Sequence, residues 1–312
     1  LGNLLPELAQ GLFAEPRRYP AIARLSHVPG EFLDDRRVST PRGMVLKVLD
    51  VDGPMLPAHE GERTQDFVLD TGKAFIVSDA KSFLAAITAT EMATPAPESV
   101  KAAVSTASRA TNAALNAVGI NSANLDFYGH PFTHPLTEIY YSQCPVRFGD
   151  YIAKLAVKPD MPAPAELALA KFEPEDEDGL RTAVTAYFRS NPAEFAVGVQ
   201  LCTDPASMPI EDASADWPEN ANPYRIVARL VLPEQDAFTP ERQAFLEEAL
   251  SFSPSHSLAA HRPLGSIMRA RMHVYRELSR RRAEANGQLK REISSSDELA
   301  ALSPAATDPA HA

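Results

Sequence analysis

Arg271 and Tyr275 stand four apart in the segment Arg271-Met272-His273-Val274-Tyr275, which puts them on one face of a helix, one turn apart. A phenol ionises only near pH 10 in water. A guanidinium one turn away favours the phenolate, and a ferric ion favours it more strongly. A phenolate held this way is a hard, strongly donating ligand that keeps iron ferric. Ile267 lies one turn before Arg271 on that face, and Arg282 two turns beyond Tyr275. The same residues also make an ordinary basic helix. Arg and Tyr meet at this spacing on many helices, and Arg280-Arg281-Arg282 suits a solvated helix end through the dipole.

Other reactive centres are harder to build. There is no G-x-G-x-x-G, no P-loop, no G-x-S-x-G and no H-E-x-x-H, and His59-Glu60 has no second histidine to complete one. His130 and His134 have ligand spacing, but Pro131 and Pro135 break any helix there, so loop histidines are expected and not a zinc site. Cys144 and Cys202 form no C-x-x-C, so neither a redox pair nor a zinc knuckle is indicated. Two cysteines also build no disulfide framework, which suits a reducing, cytoplasmic compartment.

The elements that must position Arg271 and Tyr275 read as strand clusters followed by helices. Strands are expected at Ala21–Leu25, Met44–Val51, Phe67–Leu69, Ala74–Val77, Leu136–Tyr141, Tyr151–Val157, Phe195–Cys202 and Arg225–Leu232. Helices are expected at Lys81–Met92, Pro97–Val118, Leu180–Phe188, Pro240–Ser251 and Gly265–Glu284. Pro159–Pro164 reads as a loop. Without βαβ alternation this is α+β: an antiparallel sheet or barrel wrapped by helices and long irregular segments. The 27 prolines against 14 glycines in 312 residues agree with a chain that wraps. Residues 1–292 are expected to form one domain, and 293–312, rich in Ser, Ala and Pro, a tail without structure. The net charge of −11 disfavours a non-specific nucleic-acid binder, and no apolar run reaches the ~18–20 residues of a membrane span.

Five segments together carry a family resemblance. RMHVY (271–275) resembles the haem-ligand helix of haem catalases, in which Arg-x-x-x-Tyr supplies the proximal ligand. PAIARLS (20–26) resembles the catalase P-x-A-V-R-F-S strand, and PRGMVLKV (41–48) resembles P-R-G-F-A-V-K-F, with the family's gap from Arg24 to Gly43. FIVSDAKSF (75–83) resembles the strand and helix start after the distal asparagine. Gln200, Trp217-Pro218 and Leu230-Val231-Leu232 resemble Q-x-x-T…V-W-P…K-L-V-L, followed by a Phe-x-Pro at Phe252–Pro254. The match spans about residues 10–285 and is similar to short catalase-related bacterial proteins.

The resemblance implies haem b as cofactor and assigns roles. Tyr275 is expected as the iron ligand, and Arg271 as the group keeping it ionised. Arg24 and Arg282 are expected on the haem propionates, which the planar guanidinium binds bidentately. An arginine inside an apolar strand needs an anionic partner, which a propionate would supply. Gly43 would admit the porphyrin, Phe83 would pack on its distal side and Ile267 on its proximal side; as residues alone these also read as core and, for Gly43, as a bulge. Ser26 corresponds to the serine that hydrogen-bonds the distal histidine. The distal asparagine falls at Asp70 or Thr71, and neither is asparagine. The distal histidine belongs upstream of the first shared segment; no histidine precedes His27, and the expectation is a chain lacking the N-terminal arm.

The expected activity is a haem-dependent oxidoreductase decomposing hydrogen peroxide by catalase or peroxidase chemistry, in defence against oxidative stress. The alternatives are conversion of an organic or lipid hydroperoxide at the same iron, and a haem-binding relative without turnover. A homo-oligomer is compatible with the resemblance.

Overall fold

The computed structural model describes residues 1–28, 30–93, 95–119, 122–160, 167, 172–287, 292–293 and 295–300. Alternating apolar residues with β-branched character make eight strands. These are β1 (Ala21–His27), β2 (Arg42–Val48), β3 (Gln65–Asp70), β4 (Tyr140–Tyr141), β5 (Val146–Phe148), β6 (Tyr151–Asp160), β7 (Ala193–Leu201) and β8 (Arg225–Leu232). They form one sheet in the order β1-β2-β3-β4-β6-β7-β8, with β5 also on β6, and every pair is antiparallel. Among the described residues β1 and β8 do not pair with each other, so the sheet is a curled half-barrel. This is the expected α+β class.

Among the described residues there are seven helices: α1 (Ala80–Ala93), α2 (Glu98–Asn116), α3 (Ala123–Gly129), α4 (Gly179–Phe188), α5 (Pro240–Ala244), α6 (Ser266–Ala285) and α7 (Ser296–Ala300). The concave side holds the main core, where Met44, Leu46, Phe67 and Leu69 of β2 and β3 meet Leu155, Phe195 and Val199 of β6 and β7. A smaller cluster joins Leu49, Leu250 and Ile293.

Several boundaries differ from expectation, each for a local reason. Ala74–Val77 is a run of bends and not a strand: the Phe75 N–H donates to Ala213 O at 3.0 Å, across to a loop rather than into the ladder. Leu136–Tyr141 begins as a 3-10 turn over Pro135–Thr137, since Pro135 has no ladder donor, and only Tyr140–Tyr141 pairs. The expected helix to Ser251 is α-helical only through Ala244 and then widens into a π-turn over Phe245–Ala249. The strand at Tyr151 runs on through Pro159 to Asp160, and the rest of the expected loop, 161–164, lies outside the described residues. The tail expected from 293 is structured at its start. Ile293 is fully buried against Leu49 and Leu250, and α7 brings Leu299 to the same cluster; positions 301–312 lie outside the described residues.

Candidate functional site

Sheet register groups the β1–β3 site residues before any long-range contact is considered. Ala23, Leu25, Met44, Leu46, Phe67 and Leu69 point into the main core, so the alternate residues share the opposite, outer face. On that face three rungs run across the strands: Ile22–Lys47–Asp66, Arg24–Val45–Val68 and Ser26–Gly43–Asp70, the last continuing to Tyr141. Arg24, Ser26, Gly43 and Asp70 therefore stand on one surface. Thr71 does not join them. Its hydroxyl accepts from the Arg42 N–H at 3.2 Å and its N–H donates to Arg42 O at 2.9 Å, which extends the ladder. The ladder is regular at Gly43, and the sheet's irregularity lies at Val197/Gly198. A Cβ on Gly43 would stand 2.8 Å from Ser26 Oγ.

Helix α6 closes over this face. It starts at Gly265, whose φ of 88° needs glycine and where a Cβ would meet Ile210 O at 2.8 Å. Arg271 Nη2 donates to Tyr275 Oη at 2.9 Å, and its guanidinium lies over the Phe75 and Tyr275 rings. Burial works against the Arg271 charge, but Tyr275, Cys144 and Asp70 outweigh it and hold its pKa above the ordinary value. Burial pushes the Cys144 thiol up to about 11. Both cysteines are free.

Asp70 is the strongly perturbed acid of the site. Burial raises its carboxyl to about 6, against the opposing effects of the Gly72 N–H, Arg271 and His130. Beyond it, His130 bridges Asp126 at 2.9 Å and Glu138 at 2.8 Å, which outweigh burial and raise the imidazole's pKa. His134 caps the 3-10 turn through its Nδ1, which accepts from Leu136 N at 3.2 Å. Both histidines thus have structural partners.

Arg24 is exposed, with its guanidinium 6.0 Å from the Phe252 ring centre, contrary to the burial expected of an arginine in an apolar strand; it sits on the outer face of the β1 edge. Arg282 is exposed too, near the end of α6, and neither makes an ion pair among the described residues. Phe83 and Ile267, expected on opposite sides of a macrocycle, share one apolar cluster with Cys144, Ala213 and Met268. Helix α1 packs on α6 there, and the two apolar surfaces meet directly.

A cavity of about 570 Å³ opens beside Tyr275, bounded by Phe252, Ser279 and Ala283 on one side and His59, Ser255 and His256 on the other. A ferric macrocycle requires an anionic axial donor, cations for its carboxylates and apolar walls. Tyr275 with Arg271 offers the oxygen donor, and Arg24 beside Phe252 and Arg276 on the cavity wall are guanidiniums without an ion pair among the described residues; Arg282 is not on that wall. The residues present fit the group at Tyr275 and at Arg24, whereas Phe83 and Ile267 belong to one apolar cluster and do not stand apart as two walls.

The polar side of that cavity went unread in the sequence. Lys47, completely buried, pairs with Asp66 at 2.9 Å and Glu292 at 3.2 Å, and His256 lies against both Lys47 and Asp66. His59 pairs with Glu62 at 3.0 Å. The available signal was a lysine and an aspartate on adjacent strands of otherwise apolar text. The Gln200 and Trp217 segments prove structural. Gln200 Nε2 donates to Trp217 O and Asn222 O, and the buried Trp217 donates to Pro209 O.

Comparison with known proteins places this architecture. No family model matches the sequence, and no curated protein matches it. Solved catalase structures do match. A fungal catalase aligns at TM-score 0.58 and 19% identity, over 86% of this chain and 53% of its own. Catalase A from Saccharomyces cerevisiae aligns at 0.58 and 18%, over 86% and 55%. A bacterial catalase aligns at 0.59 and 18%, over 88% and 53%. The fold is catalase-like, and the chain spans about half the length of these catalases. No described helix is long and apolar enough to cross a membrane.

Proposed function

We propose that this chain is a haem-binding oxidoreductase of the catalase type, acting on hydrogen peroxide with Tyr275 as the ligand of a ferric haem b. One observation carries the reading: Arg271 Nη2 stands 2.9 Å from Tyr275 Oη at the cavity. The guanidinium, which makes no ion pair among the described residues, donates to the oxygen that would bind the iron. When bound, the haem supplies the redox centre that turns peroxide into water and dioxygen. Arg24 and Arg282 would hold its propionates, and Gly43 would keep the outer sheet face flat beneath it. Ser26 and Asp70, on one rung either side of Gly43, are polar groups on that face that would position peroxide or hold a proton.

The test is haem titration followed by absorption. The parent is expected to give a tyrosinate-type Soret spectrum, and Tyr275→Phe to lose it; an unchanged spectrum in the variant rules the assignment out. Oxygen release from added peroxide then measures turnover. Gly43→Ala is expected to leave thermal stability within about 1 kcal/mol of the parent, because only the Ser26 hydroxyl must move. Haem affinity should nevertheless fall, by at least fivefold in the same titration.

A second reading rests on Asp70. An acid with a pKa near 6 in the asparagine position suits proton delivery to the leaving oxygen of an organic hydroperoxide. Consumption of cumene hydroperoxide by the haem-loaded protein, without oxygen release from hydrogen peroxide, would favour it. Soret binding with neither reaction would mark a carrier without turnover.

A further inference from the structure

His59, Glu62 and His256, far apart in the chain, place one ligand atom each within 4.8 Å of one another. We propose that they form a binding site for a divalent transition cation, with zinc as the fitting ion. His₂Glu is a set that holds zinc while leaving a fourth position open. Here that position faces the cavity, since His59 and His256 line it.

Three observations point to a ligand. Glu62 Oε2 is shielded from solvent and has no hydrogen-bond partner, although Oε1 is engaged by His59 Nδ1 at 3.0 Å. The ring nitrogens a metal would not use already have partners. His59 Nε2 lies 3.0 Å from Ser255 Oγ, and His256 Nδ1 lies 3.2 Å from Asp66 Oδ2, the carboxylate–histidine arrangement that orients metal ligands. Ser255 can accept from that imidazole because its own hydroxyl has Ser253 Oγ at 2.8 Å.

Charge supplies the third. Among the described residues Lys47 is the ammonium in contact with the cluster, and it faces Asp66 and Glu292, with Glu62 a further carboxylate across the two rings. Among the described residues Asp66, Glu292 and Glu62 outnumber that ammonium, with Arg276 the guanidinium on the adjoining cavity wall, and uncompensated charge in a shielded place is costly. A dication offsets the excess of carboxylates. Lys47 Nζ also lies 3.1 Å from His256 Nδ1. Once Nδ1 carries the proton shared with Asp66, the ammonium turns its own protons to the two carboxylates. A tetrahedral zinc with bonds of about 2.0–2.2 Å sets ligand edges near 3.4 Å. The His59–Glu62 edge is already shorter than that at 3.0 Å, so closing the site mainly means drawing the His256 ring inward.

The site shares its cavity with the haem assignment but is argued from its own residues, and it is tested without haem. Untagged, chelator-treated protein is titrated with Zn²⁺ by calorimetry and with Co²⁺ by visible absorption. One ion per chain is expected, with intense four- or five-coordinate Co²⁺ bands. Glu62→Gln keeps an acceptor for His59 and should weaken Zn²⁺ binding at least tenfold, and His256→Gln should abolish the bands. His273→Gln, on the exposed face of α6, should change neither. Circular dichroism checks folding, and Glu62→Gln carries the test if His256→Gln does not fold. Absence of stoichiometric binding, a pale six-coordinate Co²⁺ spectrum, or equal affinity in parent and Glu62→Gln would overturn the proposal.

Discussion

Lys47→Met is expected to destabilise the protein by about 3–5 kcal/mol, the cost of leaving a buried carboxylate without its counter-ion. Lys47 and Asp66 are both completely shielded, 2.9 Å apart, and Asp66 additionally accepts from the Ser253 N–H at 2.9 Å. Removing the ammonium strands Asp66 and withdraws the partner of Glu292. The double variant Lys47→Met/Asp66→Asn should recover more than half of the loss, because the amide still receives the Ser253 N–H and carries no charge. Urea unfolding of the parent, both single variants and the double variant forms a cycle whose coupling energy reads the pair directly. Additive losses would mean that the two charges do not see each other.

Asp70→Asn is expected to stabilise the protein near neutral pH, by about 2–3 kcal/mol. The folded carboxyl titrates near 6, above the value of about 3.9 expected in the unfolded chain. Between those values the folded state holds the proton more tightly, so stability contributed by the protonated acid falls as pH rises from about 4 to about 6. Above pH 6 the full penalty of a buried anion is present. Parent and variant should therefore be equally stable at pH 4 and diverge to a plateau above pH 6.5, followed by urea midpoints across that range. A difference independent of pH would show that Asp70 titrates as in water. Under the proposed function the same titration would bring negative charge to the face where peroxide would bind.

Strand-and-helix content was legible where periodicity was uninterrupted. Arg225–Leu232 is read to the residue, and α6 and α2 to within two residues at each end, because their apolar spacing and end residues agree with their packing. The Arg271–Tyr275 pair was legible for the same reason, as helical spacing fixes it locally. The rung Ser26–Gly43–Asp70 was only half legible: the residues were named, but that Asp70 and not Thr71 shares a face with Gly43 needed the register of β2 on β3. Helix α3 was missed under Gly129 and the prolines that follow it, although Ser122 accepts from Leu125 N as its cap. His59, Glu62 and His256 were beyond reach, because a loop after β2 meets a loop before α6 only in the folded chain. The gathering of Phe83 and Ile267 into one apolar cluster was likewise a tertiary outcome, since each had the right type for either a pocket wall or a core.

The burial of Ile293 and the reach of Glu292 to Lys47 bear on how the molecule is made. The first strands of the sheet are completed by a residue 245 positions beyond Lys47, and the Glu7–Arg225 pair and the Leu12 N–H bond to His261 span 218 and 249 positions. Such a topology has high contact order and folds slowly. During synthesis Lys47 and Asp66 must wait on the ribosome for their last partner, and the early hairpins stay exposed to wrong pairing until it emerges. Chaperone dependence during translation, and poor tolerance of fusions placed before residue 293, follow from that order of events.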